Sequence, residues 1–532
     1  MPDHAIDRNT SKIWLIGGGI ASLAAAAFMI RDGDIPGAHI TILEDLDKIG
    51  GSLDASGSSA AGYVLRGGRM FESKYLCTFA LFDSIPALSG SGTVTQDIMA
   101  WNETMHTASK SRLVRDGHRE TAPAFGLSER HILNIARLAA EPESILGRSR
   151  ISDQFDDAFF KTNFWTMWCT TFAFQPWHGV VEFKRYLLRF AHMVGGFNRL
   201  IGIMRTQYNQ YDSMVRPLRK WLDERGVTFT MGTRVTDLQL TETADQTAVT
   251  RILFERAGVP GDIAVAAGDV VLLTLGSMTD ASSLGGMDKA AATLDKSQAH
   301  SWALWKKIAT GRPAFGHPEV FYDRIDESKW VSFTATMHDP ALLRIIRDFT
   351  GNVPGEGGLI TFADSGWLAS IVVPYQPHII GQPDDANVLW GYGLSVDQPG
   401  DFVKKPMTEC TGREIMTEIL GHLRVGEDTK RILETTICIP CMMPFITSQF
   451  MPRAKGDRPA VIPAGSQNLG FIGQFCELPD DVVFTVEYSI RSAQTAVYQM
   501  LGLNREPPAV YKGVFDPRVL YRTFMAMHDL TA

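Results

Sequence analysis

Three consecutive glycines, Gly17-Gly18-Gly19, split the one long uncharged stretch of the chain, Ile13 to Ile30. Left whole, a stretch of that length would suit a membrane span. Interrupted, it changes character on either side. Ile13-Trp14-Leu15-Ile16 is short and β-prone, and the alanine-rich run after the glycines suits a helix. Strand, glycine turn, helix is therefore the expected order, and neither a cleaved leader nor another span is expected. The spacing fits G-x-G-x-x with Ser22 in the third glycine position. Gly17 permits the tight turn, Gly19 lets backbone N–H groups approach a pyrophosphate, and small Ser22 allows close helix–strand packing, with Ala21 between them counted among the cofactor-binding residues. A second strand, His39 to Leu43, ends at Glu44, 22 residues past Ser22. That acid is placed to accept hydrogen bonds from a ribose diol.

Later glycines say which dinucleotide to expect. Gly50-Gly51-Ser52 follows the acid, then Arg66-Gly67-Gly68-Arg69. Thr274-Leu275-Gly276-Ser277 closes a buried strand, and Gly470 to Gly473 leads into a C-terminal helix. A nucleotide fold begun near one end of the chain and completed near the other points to FAD rather than NAD. The expected class is α/β: a Rossmann-like FAD-binding domain with discontinuous segments (1–110, 210–285 and 440–510) plus a mixed α+β substrate domain (286–439) with a helical subdomain (111–209). Residues 511–532 read as a short C-terminal tail.

Composition sets the class of partner. The chain has 532 residues, 45% hydrophobic and 21% charged, with a net charge of −8. This describes a globular protein with no basic excess for nucleic acid. Six cysteines are too few for a disulfide framework, so a reducing, cytoplasmic setting is expected. Cys438 and Cys441 form a lone C-x-x-C, read as two ordinary thiols, and no metal site is expected. No H-E-x-x-H, G-x-S-x-G or Walker A pattern occurs.

With these segments the chain resembles the oleate hydratases, flavoproteins also described as myosin-cross-reactive antigens. The resemblance runs from about Lys12 to Leu503. Besides the arginine-glycine motif it rests on Asn163-Phe164-Trp165-Thr166-Met167-Trp168, Trp177-His178, Tyr208-Asn209-Gln210-Tyr211, and the run Phe450 to Pro459. It implies water addition to the cis double bond of an unsaturated long-chain fatty acid such as oleate, giving a 10-hydroxy fatty acid, with FAD required but not turned over. It also implies a tyrosine acid in the helix after the Trp-His pair, here Tyr186. Phe183, Tyr186, Leu187 and Phe190 share one helical face, so Tyr186 should point inward. Burial would raise its pKa above the usual ~10 and keep it protonated.

Three expectations follow from where the sequence departs from its relatives. Most members have a glutamate directly after the arginine-glycine motif; Met70 stands there, and Glu72 is the nearest carboxylate. Either Glu72 activates water, or water is oriented by backbone, flavin and Gln210. Relatives place threonine and asparagine before a Gln-Pro-His segment, where this chain has Val372 and Pro374, leaving His378 to meet the substrate carboxylate. Trp165 and Trp168, in an aromatic stripe, either line an acyl channel or are ordinary core. The residues near the C-terminus are almost balanced in charge, so at most weak peripheral membrane contact is expected, from a monomer or homodimer. The rival readings are a redox flavoenzyme of the amine oxidase or desaturase type and a non-catalytic fatty-acid-binding flavoprotein.

Overall fold

Strand Ile13–Ile16 is the centre of a five-stranded parallel sheet. Its order is Leu469–Ile472, Val270–Thr274, Ile13–Ile16, Ile40–Leu43, Thr228–Thr230, as seen in a computed structural model that describes residues 6–68, 70–292 and 295–530. The central strand pairs with both neighbours in parallel register, Ile13 opposite Val270 and opposite Ile40. Parallel strands need both faces covered, and these read as nearly unbroken Val, Ile and Leu. Helix Ile20–Arg31 covers one face with ten buried residues and packs on helix Val486–Met500. The expected α/β class with a Rossmann-like sheet drawn from distant segments is what the chain forms. The C-terminal ends of its strands lie together, where such sheets bind ligands.

An eight-stranded sheet forms the second layer, built chiefly from residues 330–443. Its strands pair antiparallel except Leu359–Phe362 with Leu113–Arg115. That strand and its neighbour His118–Glu120 come from the stretch read as helical. They are three residues each, too short for a period-2 pattern to show. Between the sheets runs the hairpin Ala55–Ser58 and Gly62–Leu65. Tyr63 and Leu65 donate backbone N–H bonds to Thr336 and Thr334 Oγ1, at 2.8 and 2.9 Å. This docks the hairpin on strand Trp330–Met337 and brings the arginine-glycine segment to the seam between the layers.

A third layer holds helices Asn163–Phe172 and Val180–Arg189 and the 3-10 segment Ala191–Arg199. Helix Pro517–Met527 packs on Ala191–Arg199 and leaves Leu520, Tyr521 and Phe524 exposed, as is Phe515 in the turn before it. Among the described residues no helix is long and apolar enough to cross a membrane. Cys438 and Cys441 are buried, free thiols on strand Thr436–Met443. Three residues apart on a strand, they point to opposite faces and share no ligand.

Candidate functional site

A cavity of about 440 Å³ opens at the strand ends of the parallel sheet. Gly17, Gly19, Ala21, Glu44, Gly51, Ser52, Arg66, Gly276, Ser277 and Gly473 line it. Gly17 has φ +95°, a conformation that side chains resist. Helix Ile20–Arg31 starts at this wall with no side-chain cap and no acid in its first turn, so its leading N–H groups are free for an anion. Arg66 pairs loosely with Asp54 at 3.5 Å, and its Nε is buried without a partner. Glu44 accepts N–H bonds from Gly18 and Leu46, and burial raises its carboxyl. Unsatisfied donors at one end and an acid at the strand end fit a nucleotide diphosphate with its ribose. Ser22 lies behind this wall, 3.3 Å from Thr274 Oγ1, as a packing residue. Gly50, with φ +118°, shapes the adjoining turn, its N–H bonded to Gly18 O. Arg69 lies outside the described residues.

A second, smaller cavity of about 130 Å³ adjoins the first; Ser52, Met278, Gln474 and Ser489 line both. Its other walls are Gly67, Gly68, Met70, Glu72, Tyr75, Phe172, Tyr186, Phe190, Gln210, Trp330 and Trp390, among others. Gly68 allows a close approach: a Cβ there would meet the Trp390 ring at 2.9 Å. A third cavity of about 50 Å³ continues past the wall formed by Gly67, Gly68, Gln210 and Trp390 and reaches His378. The structure thus brings the sequence-predicted Tyr186, Met70, Glu72 and Gln210 to one cavity and His378 to the one that adjoins it.

Tyr186 is held from all sides. Its hydroxyl donates to the Val483 carbonyl at 2.5 Å, and its ring lies within 5.0 Å of Phe172 and Phe174. Burial, with the nearby Tyr75 and Glu182, pushes the phenol well above its ordinary value. Its helix is anchored one turn earlier by Glu182, fully buried, which accepts from Arg453 at 2.6 Å and Arg458 at 3.0 Å. Burial alone would raise that carboxyl, but Arg458, Arg453 and Arg185 outweigh it and hold it at about 2. Arg453 also pairs with Glu477, and Arg185 with Glu477 and Glu143. His178 accepts the Gln175 N–H at Nδ1 and Trp177 donates to the Glu327 carbonyl. Burial holds His178 at about 3, so the Trp-His pair is neutral scaffolding for the helix entry.

Glu72 is already engaged: 2.7 Å from Arg189, 3.2 Å from His192 Nε2, and bonded to the Lys74 N–H. Burial raises its carboxyl, yet His192 and Arg189 reverse this and hold it below the ordinary range. Gln210 differs. It precedes a π-helical turn, Tyr211–Val215, a distortion common at functional sites. Both its Oε1 and Nε2 are buried without a partner. The turn is pinned by Asn209, which donates to the His378 carbonyl and to Asp212. Burial, then the charge of Arg205, drives His378 down to about 3, so its ring is neutral.

Trp165 and Trp168 line none of these three cavities. Trp168 is fully buried against Phe164, Phe172, Phe183 and Phe197, and Trp165 against Phe160 and Phe183. The stripe is core over most of its length; Phe172, with Thr170 and Thr171 beside it, reaches the 130 Å³ cavity. Sequence reasoning missed Tyr75, Trp390, Arg205 and the Glu182 cluster. Arg205 stands three residues before the quoted Tyr208-Asn209-Gln210-Tyr211 segment, where nothing marks a single basic residue as buried. Asp401, Glu418 and His422 place metal-ligand atoms within 4.8 Å of one another. Glu418, though, accepts the N–H groups of residues 401–403, a structural use.

The MCRA family matches residues 10–498. An oleate hydratase of Streptococcus pyogenes serotype M49 is 39% identical over 98% of this chain and 90% of its own length. A linoleate hydratase of Lactiplantibacillus plantarum is 32% identical over 98% of this chain and 99% of its own. Among solved structures, putrescine oxidase with putrescine bound has a TM-score of 0.51 at 12% identity, covering 92% of this chain and 99% of its own. Cyclohexylamine oxidase from Brevibacterium oxydans has a TM-score of 0.53 at 11% identity, covering 93% and 100%. At such identities the two oxidases show a shared fold.

Two stability outcomes follow from the charged clusters. Glu182→Ala leaves two buried guanidiniums short of their counter-ion and should cost about 3–5 kcal/mol in denaturant unfolding. Glu72 contributes stability above its unfolded pKa, and this is lost as pH falls through its depressed folded value. The gap in thermal midpoint between wild type and Glu72→Gln should therefore be widest above about pH 5 and close below it.

Proposed function

The chain belongs to the MCRA family and is a fatty acid hydratase, and from that premise we propose that it adds water to the cis double bond of oleate-like acids to give 10-hydroxy acids, with Tyr186 as proton donor and FAD as a non-redox cofactor. One observation carries this reading: a buried, protonated phenol and an unpartnered amide, Gln210, face one apolar cavity that adjoins a dinucleotide cradle. The glycine turn, Arg66, Ser52 and Glu44 would hold the dinucleotide, which as FAD would supply a non-redox, apolar and polarisable surface for the chemistry in the adjoining cavity.

The remaining chemistry falls to side chains. An alkene is a very poor base, and a phenol pushed above its usual range is a weak acid. Transfer to one alkene carbon therefore proceeds together with water attack on the other, so that neither a full cation nor a free phenolate has to survive alone. Water oxygen forms the new C–O bond, and the proton that water loses returns to the tyrosine oxygen. Gln210 can accept from and donate to that water. Glu72 lines the same cavity, but its carboxylate is shared with Arg189 and His192 and makes a poor base. Met70 supplies an apolar wall where relatives have an acid.

Oleate incubated with FAD-loaded protein in heavy-oxygen water should give one labelled hydroxyl per product by mass spectrometry, with no oxygen uptake. Flavin reduction by the fatty acid would instead establish the redox reading. Tyr186→Phe should lower kcat by about 10²–10⁴ while keeping the bound-flavin spectrum. Glu72→Gln should lose less than tenfold in kcat; a loss as large as that of Tyr186→Phe would make Glu72 the base.

A further inference from the structure

Arg205 is the exception among the buried arginines of this fold. Seven arginines are buried among the described residues. Arg185, Arg189, Arg453, Arg458 and Arg491 each meet a carboxylate. Arg112 has no acid, but its amino groups donate to Thr361, Thr170, Thr171 and the Met167 carbonyl. Arg205 has neither. Its residue is 8% exposed, and its NH2 nitrogen is buried without a partner. Among the described residues it forms no ion pair.

Its position is nonetheless fixed. The Asn102 amide accepts the Arg205 backbone N–H at 2.9 Å and donates to its carbonyl at 2.7 Å. The residue lines the 50 Å³ cavity with Gln210 and His378, which also carry buried polar atoms without partners, Nε2 and Oε1 on one and Nδ1 on the other. Trp101, Val372, Pro374 and Tyr375 are among the other walls, and no aspartate or glutamate is among them. The carboxylate nearest in charge effect to His378 is Asp212, which is already bound by Arg216, Asn209 and the Ile380 N–H. A buried cation without a counter-ion is costly, and a protein keeps one where a ligand supplies the missing charge. Burial alone lowers this guanidinium to about 10, which leaves it charged throughout the neutral range.

We propose that Arg205 is the counter-ion for the carboxylate of the fatty acid, with Gln210 and His378 completing the headgroup site and the acyl chain running on into the cavity of Tyr186. The proposal rests on the fatty acid reading above and adds to it the residue that selects an acid. A guanidinium offers paired N–H donors that match a carboxylate bidentately. The cavity volume suits such a small group, since about 10–15 Å³ of such space is enough to hold one water. The two cavities share Gly67, Gly68, Gln210 and Trp390 as walls, so an apolar tail would run past Gln210 into the larger one.

Binding of dodecanoate and of 1-dodecanol to the flavin-loaded protein, measured by calorimetry, tests this apart from turnover. Wild type should prefer the acid strongly. Arg205→Met should weaken dodecanoate by about 30-fold or more and leave dodecanol within about threefold. Arg205→Lys, which keeps the charge but loses the fork, should fall between. Arg205→Met should also unfold at the same temperature as wild type or higher, because it removes an uncompensated buried charge; should it fail to fold, Arg205→Lys carries the comparison. Equal affinity of wild type for acid and alcohol, or unchanged dodecanoate affinity in both variants, overturns the proposal. If oleate yields hydroxy acid and the KM of Arg205→Met equals that of wild type, the headgroup assignment alone falls. If oleate yields no product while dodecanoate binding depends on Arg205, hydration falls and the headgroup assignment stands.

Discussion

Glu182 is the constraint on which the site depends. A carboxylate with no exposure can remain ionised only if cations reach it, and those cations come from far along the chain. Arg453 and Arg458 lie in the segment that leaves the eight-stranded sheet at Met443 and reaches the parallel sheet at Leu469. Joining them to Glu182 ties the helical layer to the crossing point of both sheets. Tyr186 is four residues further along the same helix, on the same face, so its phenol is placed by the ion cluster as much as by packing. Hydrophobic contact alone would leave the helix free to slide among aromatic neighbours; charge pairs of this geometry specify one register.

The same architecture serves oxidases of amines, and the walls explain how chemistry can diverge on it. A primary amine is a cation at neutral pH. The innermost cavity here presents a buried guanidinium and no acid, which repels an ammonium and attracts an anion. The adjoining 130 Å³ cavity presents a phenol that stays protonated and an amide, groups suited to handing over and orienting hydrogen. Fold comparison alone does not separate these outcomes; under the headgroup proposal the sign of charge in the 50 Å³ cavity would.

Much of the nucleotide half was legible because its constraints are local. A strand, a glycine turn, a helix and a terminal acid must follow one another within some thirty residues, and periodicity shows all of them. The substrate half was less so. A four-residue spacing of Phe164, Trp168 and Phe172 identifies a buried face but not what packs on it, and only the last of these meets the cavity. The Glu182 cluster joins residues 271 and 276 apart, and no spacing rule reaches that far. Arg205 escaped for a related reason: burial of a lone arginine depends on distant segments around it, here Asn102 of helix Val94–Met105 and the turn at His378.

The charge states of the site close into a consistent circuit. Tyr186 is protonated, His378 is neutral, Glu72 is ionised and Arg205 is charged across the neutral range. Tyr186, His378 and Glu72 have their pKa moved away from 7, and Arg205 stays charged well above it, so none is tuned as a separate acid–base pair would require. A reaction that takes a proton from the tyrosine and returns one from water needs no such group, since the enzyme ends each turnover in the protonation state in which it began. In the proposed mechanism, an apolar Met70 at the Tyr186 cavity is therefore compatible with turnover. It lines the cavity wall with an apolar side chain, and hydrogen bonds from Tyr186 and Gln210 to a water placed as proposed would be stronger there than beside a solvated carboxylate.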